Sequence, residues 1–193
     1  HLVSYVSQFM TLLPGDIKFD DFNGDGVIDT RDIQPTGYGT TPEVMYGLNL
    51  NASWKKFNIT MNWQGAANFQ VHLQHFLIQP FANDMNTYAY FLDRWRRADP
   101  KDPNSEWIPG KYPATRNDGS PNNRTASTFW LKNATYFRLK ALNIGYTVDY
   151  PWLGKAGIKA VNIFVSGQNL LTFTGLEYMD PETPSGRLSV YPL

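Results

Sequence analysis

The chain has 193 residues, a net charge of zero and no cysteine. That length suffices for one domain with a real core or for a piece of something larger, and the charge balance leaves no overall basic field to draw nucleic acid or anionic lipid. Disulfides and thiolate metal sites are excluded, and an aromatic share of 15% suits strands, carbohydrate contacts or a membrane interface alike.

His1 to Leu13 is moderately apolar, lacks the basic lead of a signal peptide, and reads as a strand or a chain end before the break at Pro14-Gly15. Nowhere is an apolar run long enough for a membrane-spanning helix, which says nothing about spanning strands. The next stretch, residues 16–33, is acidic. In it Asp21, Asn23, Asp25, Asp29 and Asp32 hold positions 1, 3, 5, 9 and 12 of a calcium-type loop. Gly26 stands where such a loop turns sharply, Val27 offers its backbone carbonyl, and Ile28 is expected to face inward. Hard oxygens so spaced wrap a cation of calcium size, and so many acidic groups repel one another without one. Asp rather than Glu at the last position makes the loop resemble a dockerin or a degenerate EF-hand, with moderate affinity. The expected Ca2+ is structural, because no neighbour looks like a nucleophile or a general base. Arg31 and Asp20 read as a solvated rim, and the bland alternative is an Asp/Asn/Gly-rich turn without metal.

After an irregular stretch at 35–42, Val44, Tyr46, Leu48, Leu50, Ala52 and Trp54 alternate with Met45, Gly47, Asn49, Asn51 and Ser53. This period of two predicts a strand. Lys55-Lys56 is a tight turn, and Phe57, Ile59, Met61 and Trp63 then alternate with Asn58, Thr60, Asn62 and Gln64, which predicts an antiparallel hairpin. Residues 70–128 lose the alternation and read as one long loop, with a possible helix over Asp84 to Arg97. A second pair of strands follows, Tyr136 to Tyr150 and Ala160 to Gln168, joined by Pro151 to Gly157. The parity change near Lys140-Ala141 predicts a β-bulge, and Phe164 falls out of pattern.

Strands of about 10 to 12 residues exceed the usual 5 to 6, and about 9 to 11 residues is what a tilted strand needs to cross a bilayer. The polar face is Asn, Gln, Ser and Thr rather than Lys and Glu. Trp54, Phe57, Trp63, Tyr146 and Tyr150 stand near strand ends, as in an aromatic girdle. Short and long connections alternate. Pattern alone leaves two folds open, a transmembrane β-barrel wall and a soluble β-sandwich or jelly roll.

Other candidates are weaker. Trp95, Trp107, Tyr112, Phe129 and Trp130 could stack on sugar rings or form the core of a loop. His72 and His75 could share a helical face for a metal, though no third ligand is evident. Arg94, Arg96 and Arg97 read as a solvated helix end. Asn58-Ile-Thr60 and Asn133-Ala-Thr135 match glycosylation acceptors by chance composition. Glu177 and Asp180 lie in a loop with nothing to raise a pKa. No phosphate loop, nucleophile elbow or HExxH is present, so enzymatic activity is not expected.

Four blocks in order, GDIKFDDFNGDGVIDTRD, MYGLNLNASWKKFNITMNWQG, ATYFRLKALNIGYTV and VNIFVSGQNLLTFTGLEYMDPE, resemble the C-terminal part of SusC/RagA-type TonB-dependent outer-membrane transporters of Bacteroidota. The resemblance runs from about Pro14 to Glu182, with little signal in 70–128. It implies an all-β chain, residues 1–193 being the C-terminal part of a large antiparallel barrel in the Gram-negative outer membrane. The plug, the TonB box and the last strand are expected to lie outside it, and 70–128 is expected to be an extracellular loop. The implied partners are a SusD-like surface lipoprotein, TonB, outer-membrane lipid and a glycan or peptide substrate. The competing reading is a soluble secreted calcium-stabilised β-domain that binds carbohydrate.

Overall fold

The computed structural model describes residues 11–81, 86–116, 121–177 and 179–183, so the reading of residues 1–10 as a strand or chain end lies outside it. In chain order the strands are β1 (Val44–Trp54), β2 (Phe57–Ala67), β3 (Gln70–His72), β4 (Arg96–Arg97), β5 (Trp107–Ile108), β6 (Leu131–Asn133), β7 (Tyr136–Val148) and β8 (Val161–Thr174), with one helical turn, α1 (Pro151–Gly154), between the last two. The chain divides into two compact units, residues 1–37 with 72–131 and residues 38–71 with 132–193.

The second unit is a four-stranded sheet in the order β1-β2-β7-β8, antiparallel at every step. The period of two in the sequence becomes two chemically distinct faces, because successive side chains of a strand point to opposite sides. Register aligns Leu50, Met61, Leu142 and Gly167 in one row, Ala52, Ile59, Ile144 and Val165 in the next, and Trp54, Phe57, Tyr146 and Ile163 in a third. The opposite face carries Asn49, Asn62, Ala141 and Gln168, then Asn51, Thr60, Asn143 and Ser166. Phe164, out of pattern in the sequence, lies opposite Gly145 on that polar side. The predicted bulge is present: against β2, Lys140 is the extra residue between Leu139 and Ala141, and against β8 it stands opposite two residues, Asn169 and Leu170.

Two adjustments let these long strands run. Gly65 lies under the ring of Tyr46, where an added Cβ would come within 2.4 Å of the ring, and the Tyr46 hydroxyl donates to the Tyr136 carbonyl at 2.9 Å. On β8, Asn169 takes φ 52 beside the bulge, and the strand continues to Thr174 instead of stopping at Gln168 as expected. The local break of alternation at Gln168, Asn169 and Leu170 belongs to the bulge and not to the strand end.

The polar face also carries a buried charge cluster. Arg138 on β7, 2% exposed, donates to Thr172 Oγ1 at 2.9 Å, Asp180 Oδ2 at 2.8 Å and Glu182 Oε2 at 2.7 Å. Lys140 adds a second cation to Glu182 at 2.7 Å. The chain after β8 is thereby held to the sheet, with Leu176 and Met179 buried.

The first unit has little regular structure. Its core is aromatic: Phe91, Tyr112 and Trp130 are enclosed, and Tyr90 packs at a tilt against Phe91 and Tyr112 at centroid distances of 4.7 and 4.9 Å. The helix expected over Asp84 to Arg97 is corrected. Residues 82–85 lie outside the described set, and the rest is a 3-10 turn at Ala89–Asp93 followed by β4. Apolar packing of Tyr90 and Phe91, together with the bond from Arg94 to the Phe91 carbonyl at 3.0 Å, overrides a modest helical propensity. Backbone groups outside any ladder are met by side chains: Asn123 Oδ1 accepts from Ile17 N at 2.8 Å, Asn123 Nδ2 donates to Asp16 and to the Ala114 carbonyl, and Trp130 Nε1 donates to the Asn123 carbonyl. Asp16 is in turn bonded by Arg116.

Candidate functional site

The acidic loop is folded by bonds between its own backbone and side chains. Gly24 and Gly26 take φ +76 and +84, and their N–H groups donate to the two oxygens of Asp21 at 2.7 and 2.8 Å. The N–H of Asp25 donates to Asn23 Oδ1, and that of Val27 to Asp25 Oδ1. Asp32 closes the loop, accepting from Phe22 N at 3.0 Å and Asp29 N at 2.8 Å, and Ile28 is buried beneath it. Each Asp21 oxygen keeps a lone pair beyond these bonds, whereas Asp32 Oδ1 also accepts from Asn23 N at 3.4 Å and both oxygens of Asp29 accept from Arg31. Among the described residues no three acidic or histidine side chains converge on one cation position. Arg31 is solvated, as expected from the sequence, and also folds back onto the loop. Its guanidinium lies 2.7 Å from both Asp25 and Asp29, and these bonds hold the Asp29 carboxyl below its ordinary value. This clasp is present at neutral pH and is lost as the pH falls through the lowered Asp29 value.

The same unit contains an open cavity of about 1220 Å³, bordered by the acidic loop, Phe19, His72, Trp95, Tyr112 and Phe129. Of the four tryptophan and tyrosine candidates, Trp95 and Tyr112 border it. Trp130 is fully enclosed and is a core residue, and Trp107 carries the Arg97 guanidinium over its ring at 4.3 Å. Gly15, at φ +87, is required where the chain crosses Trp95, since a Cβ there would meet Trp95 Cβ at 2.3 Å. His72 lies on a strand and His75 in a 3-10 turn, so they share no helical face. Burial pushes the His72 imidazole below its usual pKa. Arg96 and Arg97 lie on β4, and Arg97 bonds the Ser105 carbonyl at 2.5 Å, so neither is a helix end.

One face of the sheet is apolar and exposed. Leu48, Leu50, Ile144, Ile163 and Val165 are between 41% and 73% exposed. Contiguous apolar area of this kind on a folded sheet marks contact with a partner or a membrane. Among the described residues β1 and β8 each have one unpaired edge.

TonB-dependent receptor P3 of Formosa agariphila is 31% identical over 169 residues, covering 88% of this chain and 16% of the receptor. The chain belongs to the TonB-dependent receptors. Receptor P26 of the same organism is 26% identical over 172 residues, covering 87% of the chain and 16% of its own length. The chain thus spans well under a fifth of these relatives. No protein-family profile matches it. Among solved structures, the RagAB peptide importer in its closed-closed state matches with a TM-score of 0.63 at 22% identity, over 93% of this chain and 19% of that one. Another, the RagAB peptide transporter, gives 0.58 at 21%, over 80% and 16%. TonB-dependent receptors are outer-membrane β-barrel proteins, and the open sheet of this receptor segment is an arc of such a wall. The separate readings of a soluble sandwich and of a barrel are decided by these matches in favour of the barrel.

The sequence missed Asn122, Asn123 and the Arg138 cluster. Asn122 Nδ2 bonds the Ile17 carbonyl at 2.6 Å, a partner more than a hundred residues away that no local pattern reveals.

Proposed function

We propose that this segment forms part of the wall and mouth of an outer-membrane transporter that imports oligosaccharides or peptides with a SusD-like lipoprotein as lid and TonB as energy source. The observation that carries it is the sheet with one apolar and one amide-rich face, in strands of 11 to 14 residues. Lipid fits the apolar face, and a water-filled lumen fits the Asn, Gln, Ser and Thr face. The likeness to a structure titled a peptide importer supports peptides as one substrate class. Residues 70–128 and the acidic loop at 16–33 would then stand on the cell-surface side. The soluble carbohydrate-binding alternative has no account of the exposed apolar rows.

Deleting the complete receptor from its host should abolish uptake of its peptide or oligosaccharide, deleting TonB should do the same, and a surface lipoprotein should co-purify with the receptor in mild detergent. Undiminished uptake in both deletions would sink the proposal.

The acidic loop is proposed to hold a structural Ca2+ through Asp21, Asn23, Asp25, the Val27 carbonyl, Asp29 and Asp32. The ion would fix the fold of the loop and supplies no chemistry of its own. Arg31 provides a positive charge to Asp25 and Asp29 and so competes with it. Calorimetric titration of the complete receptor should show calcium binding in the millimolar range or tighter. Arg31→Gln should strengthen it several-fold, and Asp21→Asn should weaken it. Heat absent from wild type and Arg31→Gln alike at millimolar calcium would refute the site.

A further inference from the structure

The short-turn end of the sheet combines aromatic rings with an excess of lysine. Lys55 and Lys56 close the β1–β2 hairpin, and Lys155 and Lys159 lie in the β7–β8 connection. The two connections are adjacent, since the Thr147 N–H donates to the Lys56 carbonyl at 2.9 Å. Asp149 is the one acidic residue in either connection, and it pairs with Lys56, raising the Lys56 pKa and lowering its own. Lys55, Lys155 and Lys159 remain exposed. Around them Trp54 is 67% exposed, Trp152 62%, Tyr150 48% and Ile158 43%. Lys55 Nζ lies 4.7 Å above the Trp54 ring and Lys56 Nζ 4.3 Å above that of Tyr150. The neutral total of the chain conceals this local charge.

We infer that this end is a docking surface for anionic phospholipid headgroups of the leaflet that faces the short turns. The inference rests on the barrel reading above. Charge and geometry carry it together. Exposed indole and phenol rings settle at the headgroup level, where an apolar body meets a wet edge. A lysine stem can lie along such a ring while its ammonium reaches outward to a phosphate. Three unpaired ammonium groups against no free carboxylate select negative headgroups over zwitterionic ones. Backbone geometry is consistent with selection for charge: Lys55 occupies φ 55, a conformation that Asn or Gly would adopt more readily.

The test uses the complete receptor in nanodiscs of phosphatidylcholine alone and of phosphatidylcholine with phosphatidylglycerol. The lipid retained after partial delipidation is counted by native mass spectrometry. Wild type should retain phosphatidylglycerol preferentially, and Lys55→Asn, Lys155→Gln and Lys159→Gln should each lower that preference, by roughly fivefold per lysine at low salt. Asn suits the left-handed position, so a loss in Lys55→Asn cannot come from a failed turn. A receptor that enters neutral discs but shows no preference, or a triple variant that keeps the wild-type preference, overturns the headgroup inference and leaves the barrel reading intact. A receptor that enters no bilayer overturns both.

Discussion

In the complete receptor, Leu50→Arg should block or cripple barrel assembly, while Asn49→Arg one residue away should be tolerated. Leu50 lies mid-strand on the apolar face, in register with Met61 and Leu142. An arginine there must face hydrocarbon, at a cost of about 2–4 kcal/mol near the bilayer midplane. Asn49 lies opposite Asn62 on the polar face, where water and amide groups can solvate a guanidinium. The pair is informative because composition, exposure and β-propensity hardly differ between the two sites: both residues belong to the exposed strand β1. Only the assignment of faces predicts opposite outcomes. Heat-modifiable migration of the receptor from outer-membrane fractions reads out the folded barrel. Equal folded yields for the two variants would mean that the apolar rows do not meet lipid.

The legibility of the fold follows the range of the interactions that make it. Strand β1 and the Lys55-Lys56 turn stand where the alternation puts them, because a period of two is a local signal that each residue repeats. The bulge at Lys140 was legible as a change of parity. Strand β2 runs on to Ala67, through Gly65 and two alanines whose small side chains carry little pattern. The helix expected over Asp84 to Arg97 does not form in the described part of that span because an aromatic cluster closed by Tyr112 and Phe129 decides it, and those residues come later in the chain. Trp130 could have been a sugar platform by its chemistry. Its complete burial and its bond to the Asn123 carbonyl make it a core residue instead. In the acidic loop, spacing located the turn at Gly26 and the inward Ile28. It did not reveal that Arg31 would turn back onto Asp25 and Asp29.

Asp180 shows the same limit in a charged residue. Beside Glu177 in a loop, it offers no local pattern that points to a partner, and it meets Arg138 across the sheet. Replacing Arg138 is therefore expected to have a large and local effect. The Arg138 side chain is 3% exposed, and Asp180 and Glu182 are each 26% exposed. Removing one partner of a buried ion pair costs about 3–5 kcal/mol, because the other charge stays desolvated. Lys140 remains for Glu182, and both carboxylates can turn toward water, so Arg138→Met should fall at or below the lower end of that range. The β7–β8 ladder that pairs Arg138 with Thr172 is made by backbone and survives the change. The expected product is an intact sheet from which residues 175–183 have come away. A glutamyl endopeptidase should then cut at Glu177 several times faster than in wild type, with folded-barrel yield little changed. Arg138→Lys should not rescue it, since one ammonium cannot span Asp180 and Glu182 as the guanidinium fork does. Glu182→Gln should loosen the segment less than Arg138→Met, because Asp180 keeps its bond to Arg138. Wild-type cleavage in Arg138→Met would show that apolar burial of Leu176 and Met179 holds the segment without the ion pairs.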